Sequence, residues 1–269
     1  MRRPFTTNWS PFPPRTREVQ LDEKWAFVAK KEARCDPAAP ADVRKGDHWD
    51  HVALDPDHRL VVGVVPGKRT AESTGALVRE FHRRTSGRLM DLITTDEYAP
   101  YRGAILGAYG VTVTPPRTGK RGRPRKPYKV PPVGLNYATV HKTRAKGRVV
   151  KIEQRIIYGT AAAVATALAR SASSRAVNTS FVERQNGTDR NRNARKARKS
   201  YCFSKDWSVH QSITYFTMYS YNFCWAVRTL RAKTEGGDWR CRTPAMAAGL
   251  ADHVWSLSEW LTLPAVHQK

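Results

Sequence analysis

The sequence lacks any apolar run close to the roughly 20 residues that a membrane-spanning helix needs. Its first residues include early arginines but not the apolar core of a signal peptide. Cysteine is scarce: Cys35, Cys202, Cys224 and Cys241 are scattered and form no C-x-x-C pair. This pattern argues against a zinc site or a disulfide framework. We therefore expect a cytoplasmic, nucleoid-associated protein with reduced thiols and no membrane contact.

Acidic residues are also few. The 269 residues contain 23 Asp and Glu against 47 Lys and Arg, which gives a formal net charge of +24 at pH 7. A positive excess of this size favours a polyanionic partner, and nucleic acid is the default. The apolar fraction of 40% and the eight Trp indicate a folded chain with a substantial core. Composition therefore predicts a folded protein that binds nucleic acid.

Hydrophobic periodicity predicts strands and helices in alternation over the first half of the chain. A period-two pattern over residues 18–29 places Leu21, Trp25 and Phe27 on one side of a strand. Two further strand-like runs flank a turn, and a helix, a buried strand over residues 88–98, a short helix and the strand VTVTP follow. This order predicts an α/β fold around a mixed five-stranded sheet with flanking helices.

The remaining segments complete the predicted organisation. Residues 1–16 are rich in Pro, Arg and Thr and predict an extended arm, and residues 17–235 predict one domain. Residues 115–135 are dominated by Pro and basic residues, which is typical of an inserted loop. An amphipathic helix is predicted over residues 206–230, and a helical tail over residues 236–269.

Three carboxylates occupy positions that a metal centre requires. Asp22 lies on the first strand, Asp96 at the C-terminal end of the buried strand, and Glu183 at the start of a late helix. Carboxylates that converge from separate elements can hold two divalent ions for phosphoryl transfer, and Mg²⁺ prefers oxygen ligands. Spacing alone does not single out these three among 23 acids. The competing candidates are Asp50, Asp55, Asp91 and Glu97.

Glu183 also has a purely structural interpretation, because Ser180-Phe-Val-Glu183 matches a capping box with Ser180 as the N-cap. A run of positive charge follows it, opposed only by Asp189. We expect this run to contact DNA phosphates. Its members are Arg184, Arg190, Arg192, Arg195, Lys196, Arg198 and Lys199.

A second basic segment, KRGRPRKP over residues 120–127, is similar to an AT-hook. In that interpretation Arg121 and Arg123 enter the narrow minor groove of A·T-rich duplex, and Lys120, Arg125 and Lys126 bind phosphates. The alternative is a solvated basic linker that binds any duplex electrostatically. Both interpretations predict an affinity that falls steeply with salt.

The segments LDEKWAFV, TTDEYAPY and TSFVERQNGTDRNRNARKARKSYCFSKD together resemble the DDE transposases of bacterial insertion sequences, in particular the catalytic half of the insertion sequence 1 family. The resemblance covers most of residues 18–230 and implies a ribonuclease H-like fold. It implies that Asp22, Asp96 and Glu183 form the catalytic, metal-binding triad. It also implies two Mg²⁺ ions, for which Mn²⁺ can substitute, and cleavage and strand transfer of double-stranded DNA at transposon ends and target.

The resemblance has one departure. Members of that family generally carry a zinc-binding and helix-turn-helix module before the catalytic core, whereas only a short segment precedes the first strand here. This implies a second-frame product or a truncated copy, with an upstream-frame DNA-binding protein as a partner. A homo-oligomer is implied for the synaptic complex. The alternatives are a non-catalytic or decayed basic DNA-binding protein of a mobile element, and a metal nuclease that cleaves without joining.

The double variant Arg121→Ala/Arg123→Ala should lose preference for A·T-rich duplex, because it removes the two minor-groove readers. The matched control Lys120→Ala/Lys126→Ala removes the same charge and should lower affinity for all duplexes alike. Fluorescence anisotropy with A·T-rich and G·C-rich duplexes measures both effects. Full A·T preference in the first variant would rule out the AT-hook.

Overall fold

The computed structural model describes residues 16–116, 125–197 and 201–262. The strands are β1 (Glu18–Val28), β2 (Gly46–Asp55), β3 (Leu60–Gly67), β4 (Leu92–Asp96), β5 (Val111–Val113), β6 (Tyr128–Val130), β7 (Tyr137–Ala145), β8 (Arg148–Tyr158), β9 (Val227–Lys233) and β10 (Trp239–Arg242). The helices are α1 (Ala71–Arg84), α2 (Pro100–Tyr109), α3 (Ala161–Arg170), α4 (Ser180–Arg192), α5 (Trp207–Cys224), α6 (Pro244–Ala247) and α7 (Leu257–Thr262).

Six of the strands form one mixed sheet, in the order β3-β2-β1-β4-β7-β8. β1, β4 and β7 run parallel in its centre. β2, β3 and β8 each run antiparallel to their neighbours. The predicted α/β class and mixed sheet with flanking helices are confirmed. No helix in the described part of the chain combines the length and apolarity needed to cross a bilayer.

The predicted count of five strands is wrong. β5, expected in this sheet, pairs instead with β6 in a separate two-stranded ladder, so part of the predicted loop 115–135 is a strand. β5 has three residues, none of them buried, whereas a parallel strand in mid-sheet must be covered on both faces. β7 meets that requirement, because its first four residues are all buried, and β8 pairs along its outer side.

Alternation along β1 separates the two faces of the sheet. Val19 and Leu21 pack against α1 and α2 in one hydrophobic cluster. Gln20, Asp22 and Lys24 point to the opposite face and make hydrogen bonds to residues at the start of, or within, α4. The polar side chains of the central strand are therefore collected on the α4 side of the sheet.

The C-terminal part differs from its prediction in two places. The helix predicted over residues 206–230 ends at Cys224, and the chain continues as the hairpin β9–β10, so the predicted helical tail also contains a strand. The sequence of β9, VRTLRAK, includes β-branched residues that favour a strand over continued helix. Short helices then close over the core as predicted, because Ala245 of α6 and Trp260 of α7 are buried against α5.

A network of buried charges joins β1, β2 and the segment around α4. Lys24 forms ion pairs with Asp189 and, at 3.3 Å, with Asp50. Lys196 lies 2.6 Å from Asp50 and 3.5 Å from Asp189. All four side chains are at most 1% exposed. Burial by itself raises the pKa of Asp50, but the two lysines outweigh it and hold that pKa well below its usual range.

Lys196 was expected to contact DNA, and that prediction is wrong. Its ammonium group donates to Asp50 and to the Thr214 hydroxyl of α5, both at 2.6 Å, and is closed off from solvent. A lysine with this many buried partners stabilises the fold and is not available to a phosphate. A basic run in a sequence does not distinguish its solvated members from those that pair internally.

Lys196→Ala should lower the free energy of unfolding by about 3–5 kcal/mol, because it leaves two buried carboxylates short of a cation. Arg195→Ala is the matched control, since Arg195 is the preceding basic residue and is exposed, and it should change the free energy by less than about 0.5 kcal/mol. Chemical denaturation followed by tryptophan fluorescence measures both. Equal losses in the two variants would contradict the network.

Candidate metal centre

Asp22 and Asp96 lie side by side on adjacent parallel strands. The register pairs Leu21 of β1 with Thr95 of β4, so the next residue of each strand is an aspartate on the same face. Asp96 is the last residue of β4. Ligands in open α/β sheets gather beyond the carboxyl ends of strands, and this pair lies at such an end.

A third carboxylate, Glu23, joins the pair. One oxygen from each of Asp22, Glu23 and Asp96 lies within 4.8 Å of the others. Strand alternation sends Glu23 to the opposite face of β1, which is why the sequence pattern did not select it. However, β1 pairs with β4 only as far as Leu21, so side chains from both faces can meet around its free edge.

Glu23 is held by neighbours of its own. Its Oε1 accepts hydrogen bonds from Arg69 Nε at 3.0 Å and Nη2 at 2.7 Å, and its Oε2 accepts one from the Tyr101 hydroxyl at 3.1 Å. Its side chain is 2% exposed. Glu23 therefore adds buried negative charge beside the aspartates, while its own carboxylate is oriented by a cation and a phenol.

The clustered charges shift the acids strongly. Burial, followed by the charges of Asp96 and Glu23, raises the pKa of Asp22 to about 7. Burial, followed by the charge of Glu23, also raises the pKa of Asp96. The charge of Glu183 contributes to raising both. Carboxylates arranged in this way repel one another, and a bound cation would relieve the repulsion.

Glu183 lies near this cluster but is not one of the three acids whose oxygens lie within 4.8 Å of one another. It is in the first turn of α4, where Oε1 accepts a hydrogen bond from the Thr179 hydroxyl at 2.6 Å and pairs with Lys142 of β7. Its side chain is 47% exposed. The three-acid group contains Glu23 instead of Glu183. Two of the three predicted acids, Asp22 and Asp96, are therefore brought together, and Glu183 lies close enough for its charge to raise the pKa of both.

The predicted capping box is wrong in its details. Thr179, and not Ser180, is the N-cap residue, and its hydroxyl donates to the Glu183 carboxylate. The backbone N–H groups of Phe181 and Val182 donate instead to Gln20 Oε1 of β1, each at 3.1 Å. The first turn of α4 is thus capped by a side chain about 160 residues away in the sequence, which no local motif could reveal.

Two side chains tie α4 to the strand that carries Asp22. Gln20 caps the first turn of the helix, and Asn186 Nδ2 donates to Asp22 Oδ2 at 2.8 Å. Because Glu183 and Asn186 are three residues apart, they project from the same face of α4. The helix therefore presents its carboxylate and its amide together towards the aspartates.

The four competing acids have other partners. Asp50 lies in the buried network, and Asp55 binds His58 at 2.8 Å. Asp91 pairs with Arg17, and Glu97 pairs with His141 and Arg155. Asp50, Asp91 and Glu97 thus have Lys or Arg partners and Asp55 has a histidine, whereas the carboxylates of Asp22 and Asp96 receive hydrogen bonds from an amide side chain and a backbone N–H.

The site fits a hard divalent cation. Its donors are carboxylate oxygens, which Mg²⁺ and Mn²⁺ prefer. Asp22 accepts from Asn186, and Asp96 Oδ1 accepts from the Tyr98 N–H at 3.1 Å, and these bonds use part of the lone-pair capacity of each carboxylate. The pKa values of Asp22 and Asp96 are raised by burial and by the negative charge concentrated here, and a cation would neutralise that charge.

Apart from Lys196, which is buried, the predicted DNA-binding residues divide into three groups. Arg184, Arg195, Arg125 and Lys126 are exposed. Arg190 and Arg192 are half-buried, and Arg192 donates to the Thr217 carbonyl oxygen at 3.0 Å while lying over the ring of Trp225. The remaining predicted contacts lie outside the described residues: Lys120, Arg121, Arg123, Arg198 and Lys199.

Comparison with known proteins adds nothing to this geometry: no protein-family model matches the chain, and no curated protein matches it significantly. The site is therefore defined by its own distances and charges. Those distances and charges select Asp22 and Asp96 as the strongest candidate ligands, with Glu23 and Glu183 beside them.

Asp22→Asn should stabilise the metal-free protein. The native pKa of about 7 exceeds the ordinary 3.8, so the native state holds its proton longer than the unfolded chain, and stability falls as pH rises between those values. The variant removes that loss of stability, which is on the order of 4 kcal/mol at alkaline pH.

Denaturant unfolding in EDTA, at a pH near 5 and a pH near 8, measures this effect. Added Mg²⁺ should stabilise the wild-type protein and leave the variant nearly unchanged. Glu97→Gln, a neighbouring acid with its own cations, is the control and should respond to Mg²⁺ like the wild type. An Asp22→Asn variant that loses stability in EDTA would contradict the proposed repulsion.

Proposed function

We propose that the chain is a DDE-type transposase, which cleaves DNA at insertion-sequence ends and joins the freed strand to target DNA in a metal-dependent reaction. The observation that carries this proposal is the pair of half-buried aspartates on adjacent parallel strands, with raised pKa values and a glutamate on a facing helix. Such convergence is what two-metal phosphoryl transfer requires.

The strand order supports the finer assignment of the fold. Five of the strands follow the order β3-β2-β1-β4-β7, with the parallel strands β1, β4 and β7 on one side and the antiparallel hairpin β2–β3 on the other. This order is compatible with a ribonuclease H-like domain, and in our proposal β8 and the C-terminal elements are additions to it. Asp22 on β1 and Asp96 at the end of β4 then occupy the positions that the resemblance assigns to the first two acids.

Each residue has a distinct role in the proposed reaction. Asp22, Asp96 and Glu183 would hold two Mg²⁺ ions, and Asn186 fixes the orientation of Asp22 through its hydrogen bond. When bound, the ions activate the attacking hydroxyl or water and stabilise the leaving oxygen. Glu23 adds charge to the site, and Arg69 restrains it. Lys142 pairs with Glu183 and brings a cation close to where a phosphate would bind.

DNA is the proposed substrate because the chain carries a large positive excess. Exposed cations lie in or just after α4, at Arg184 and Arg195, and in the basic insertion over residues 115–135, at Arg125 and Lys126. Phosphate contacts of this kind position a duplex without reading its sequence. Recognition of particular ends, and assembly of two ends in a synaptic oligomer with an upstream-frame module, are further parts of the proposal that rest on the resemblance.

Strand transfer in vitro tests the proposal. A labelled, pre-cleaved duplex taken from the DNA that flanks the reading frame is incubated with plasmid target and Mg²⁺ or Mn²⁺. Asp96→Asn and Glu183→Gln should each lower joining by roughly 100-fold or more, because bound metal contributes several kcal/mol to the transition state. Both variants should bind DNA within about threefold of the wild type, since neither removes a cation.

Glu97→Gln is the matched control, because Glu97 follows Asp96 in the sequence but pairs with His141 and Arg155. It should keep joining activity. Metal-dependent nicking without joining would favour a nuclease. No chemistry from the wild type, even with the upstream module supplied, would leave a non-catalytic DNA-binding protein as the better description.

A further inference from the structure

A second site-like cavity lies beside α4, away from the carboxylates. It has a volume of about 430 Å³, within the range of small-molecule pockets. We name it the arginine cleft, after three arginines that line it together with aromatic side chains. The residues that line it include Arg59, Phe181, Arg184, Tyr221, Trp225 and Arg228.

The arginine cleft and the metal centre use opposite faces of one helix. Glu183, Asn186 and Arg190 recur at helical spacing on the face of α4 that meets Asp22. Phe181, Arg184 and Thr188 recur on the other face and line the cleft. A ligand in the cleft therefore leaves the carboxylates accessible, and the two sites can be tested separately.

The arginines of the cleft are not neutralised. Within the described residues, no carboxylate forms an ion pair with Arg59, Arg184 or Arg228, and no acidic side chain lines the cleft. Arg59 Nη1 is buried and has no hydrogen-bond partner. Buried polar groups are normally satisfied, so this unpaired N–H leaves the charge of Arg59 without a hydrogen-bonded partner beside the cavity.

Arg59 is also held in an unusual conformation. It lies in the turn between β2 and β3 with φ of +56°, in the left-handed region that few side-chain-bearing residues adopt. Its guanidinium lies 3.8 Å from the centre of the Phe181 ring. Strained residues of this kind concentrate at ligand sites. Stacking on Phe181 restrains the Arg59 guanidinium, whose planar set of N–H donors is suited to phosphate, at the wall of the cleft.

An exposed aromatic surface completes the cleft. Trp225 remains 49% exposed although Arg192 covers its ring at 4.9 Å. Tyr221 lies four residues earlier, in the last turn of α5, and is buried. Single-strand nucleic-acid binding combines two features: an aromatic ring on which a base can stack, and cations that bind the phosphates. Trp225 and the unpaired arginines supply both.

We propose that the arginine cleft binds one unpaired nucleotide of a DNA strand, with its phosphate on Arg59, Arg184 and Arg228 and its base against Trp225. The shared chemistry is a phosphate next to a planar base, which a free nucleotide also offers. A strand is the better occupant, because the exposed cations Arg184 and Arg228 extend the positive surface out of the cavity. This site requires no metal and does not depend on the catalytic proposal.

Photo-crosslinking locates the bound strand. A single-stranded oligonucleotide of about 12 residues that carries bromodeoxyuridine is irradiated with the full chain in EDTA, and adducts are mapped by mass spectrometry. We expect adducts at Trp225 or Tyr221. They should be lost in Arg59→Gln/Arg228→Gln and retained in Arg79→Gln/Arg170→Gln, which removes the same charge from exposed positions on α1 and α3. Adducts confined to other segments would overturn the proposal.

Fluorescence anisotropy of the same strand measures affinity. Trp225→Ala should weaken binding by roughly tenfold and Trp225→Phe much less, because a smaller aromatic ring still stacks. The salt slope should fall by about 0.7 for each phosphate contact removed by Arg59→Gln or Arg228→Gln. Equal binding by Trp225→Ala and the wild type would overturn base stacking. Asp96→Asn should bind normally, so failure of the catalytic proposal would not be mistaken for failure of this one.

Competition identifies the source of the nucleotide. If thymidine monophosphate displaces the strand and protects Trp225 from crosslinking, the cleft accepts free nucleotides as well as strands. If only oligonucleotides compete, the strand is its ligand. Displacement by inorganic phosphate as effective as that by the nucleotide would reduce the cleft to an anion site and refute the proposed base contact.

Discussion

The buried charge network of Lys24, Asp50, Asp189 and Lys196 is the constraint on which the α4 side of the molecule depends. Each charge would be costly to bury alone, and each is balanced by a partner from a different element. The network therefore disfavours a shift of α4 along β1, because a shifted helix would leave unpaired charges in the core. The position of Glu183 relative to Asp22 follows from that restriction, with Gln20 and Asn186 supplying the finer alignment.

Asp22 and Lys24, two residues apart on the same face of β1, lie in opposite electrostatic environments. Lys24 is surrounded by carboxylates and stays paired, whereas Asp22 is surrounded by other acids and has a pKa raised to about 7. The first arrangement stabilises the fold, and the second opposes it in the absence of a cation. A protein retains such an imbalance most readily where a ligand will neutralise it, which is the physical basis for proposing a metal centre at Asp22 and Asp96.

α4 connects the proposed activities. One face carries Glu183 and Asn186 towards the aspartates, and the other carries Arg184 into the arginine cleft. Its C-terminal half supplies Asp189 to the buried network. One rigid helix would therefore fix the position of a strand in the cleft relative to a phosphate near the carboxylates. Ion pairs in the core, and not loops, determine where that helix lies.

The sequence by itself determined the α/β class, the strand that carries Asp22 and the strand that ends at Asp96, because these follow from local hydrophobic periodicity. The helix that begins near Glu183 followed from a local capping pattern, although the N-cap residue differs. Only the tertiary structure decided that β7 takes the place beside β4, that Glu23 joins the aspartates, and that Lys196 pairs inside the core. Each of these depends on contacts between residues far apart in the chain, such as Gln20 with Phe181 or Lys196 with Asp50. Local patterns state which face of an element is polar, but the packing of elements determines which charges meet.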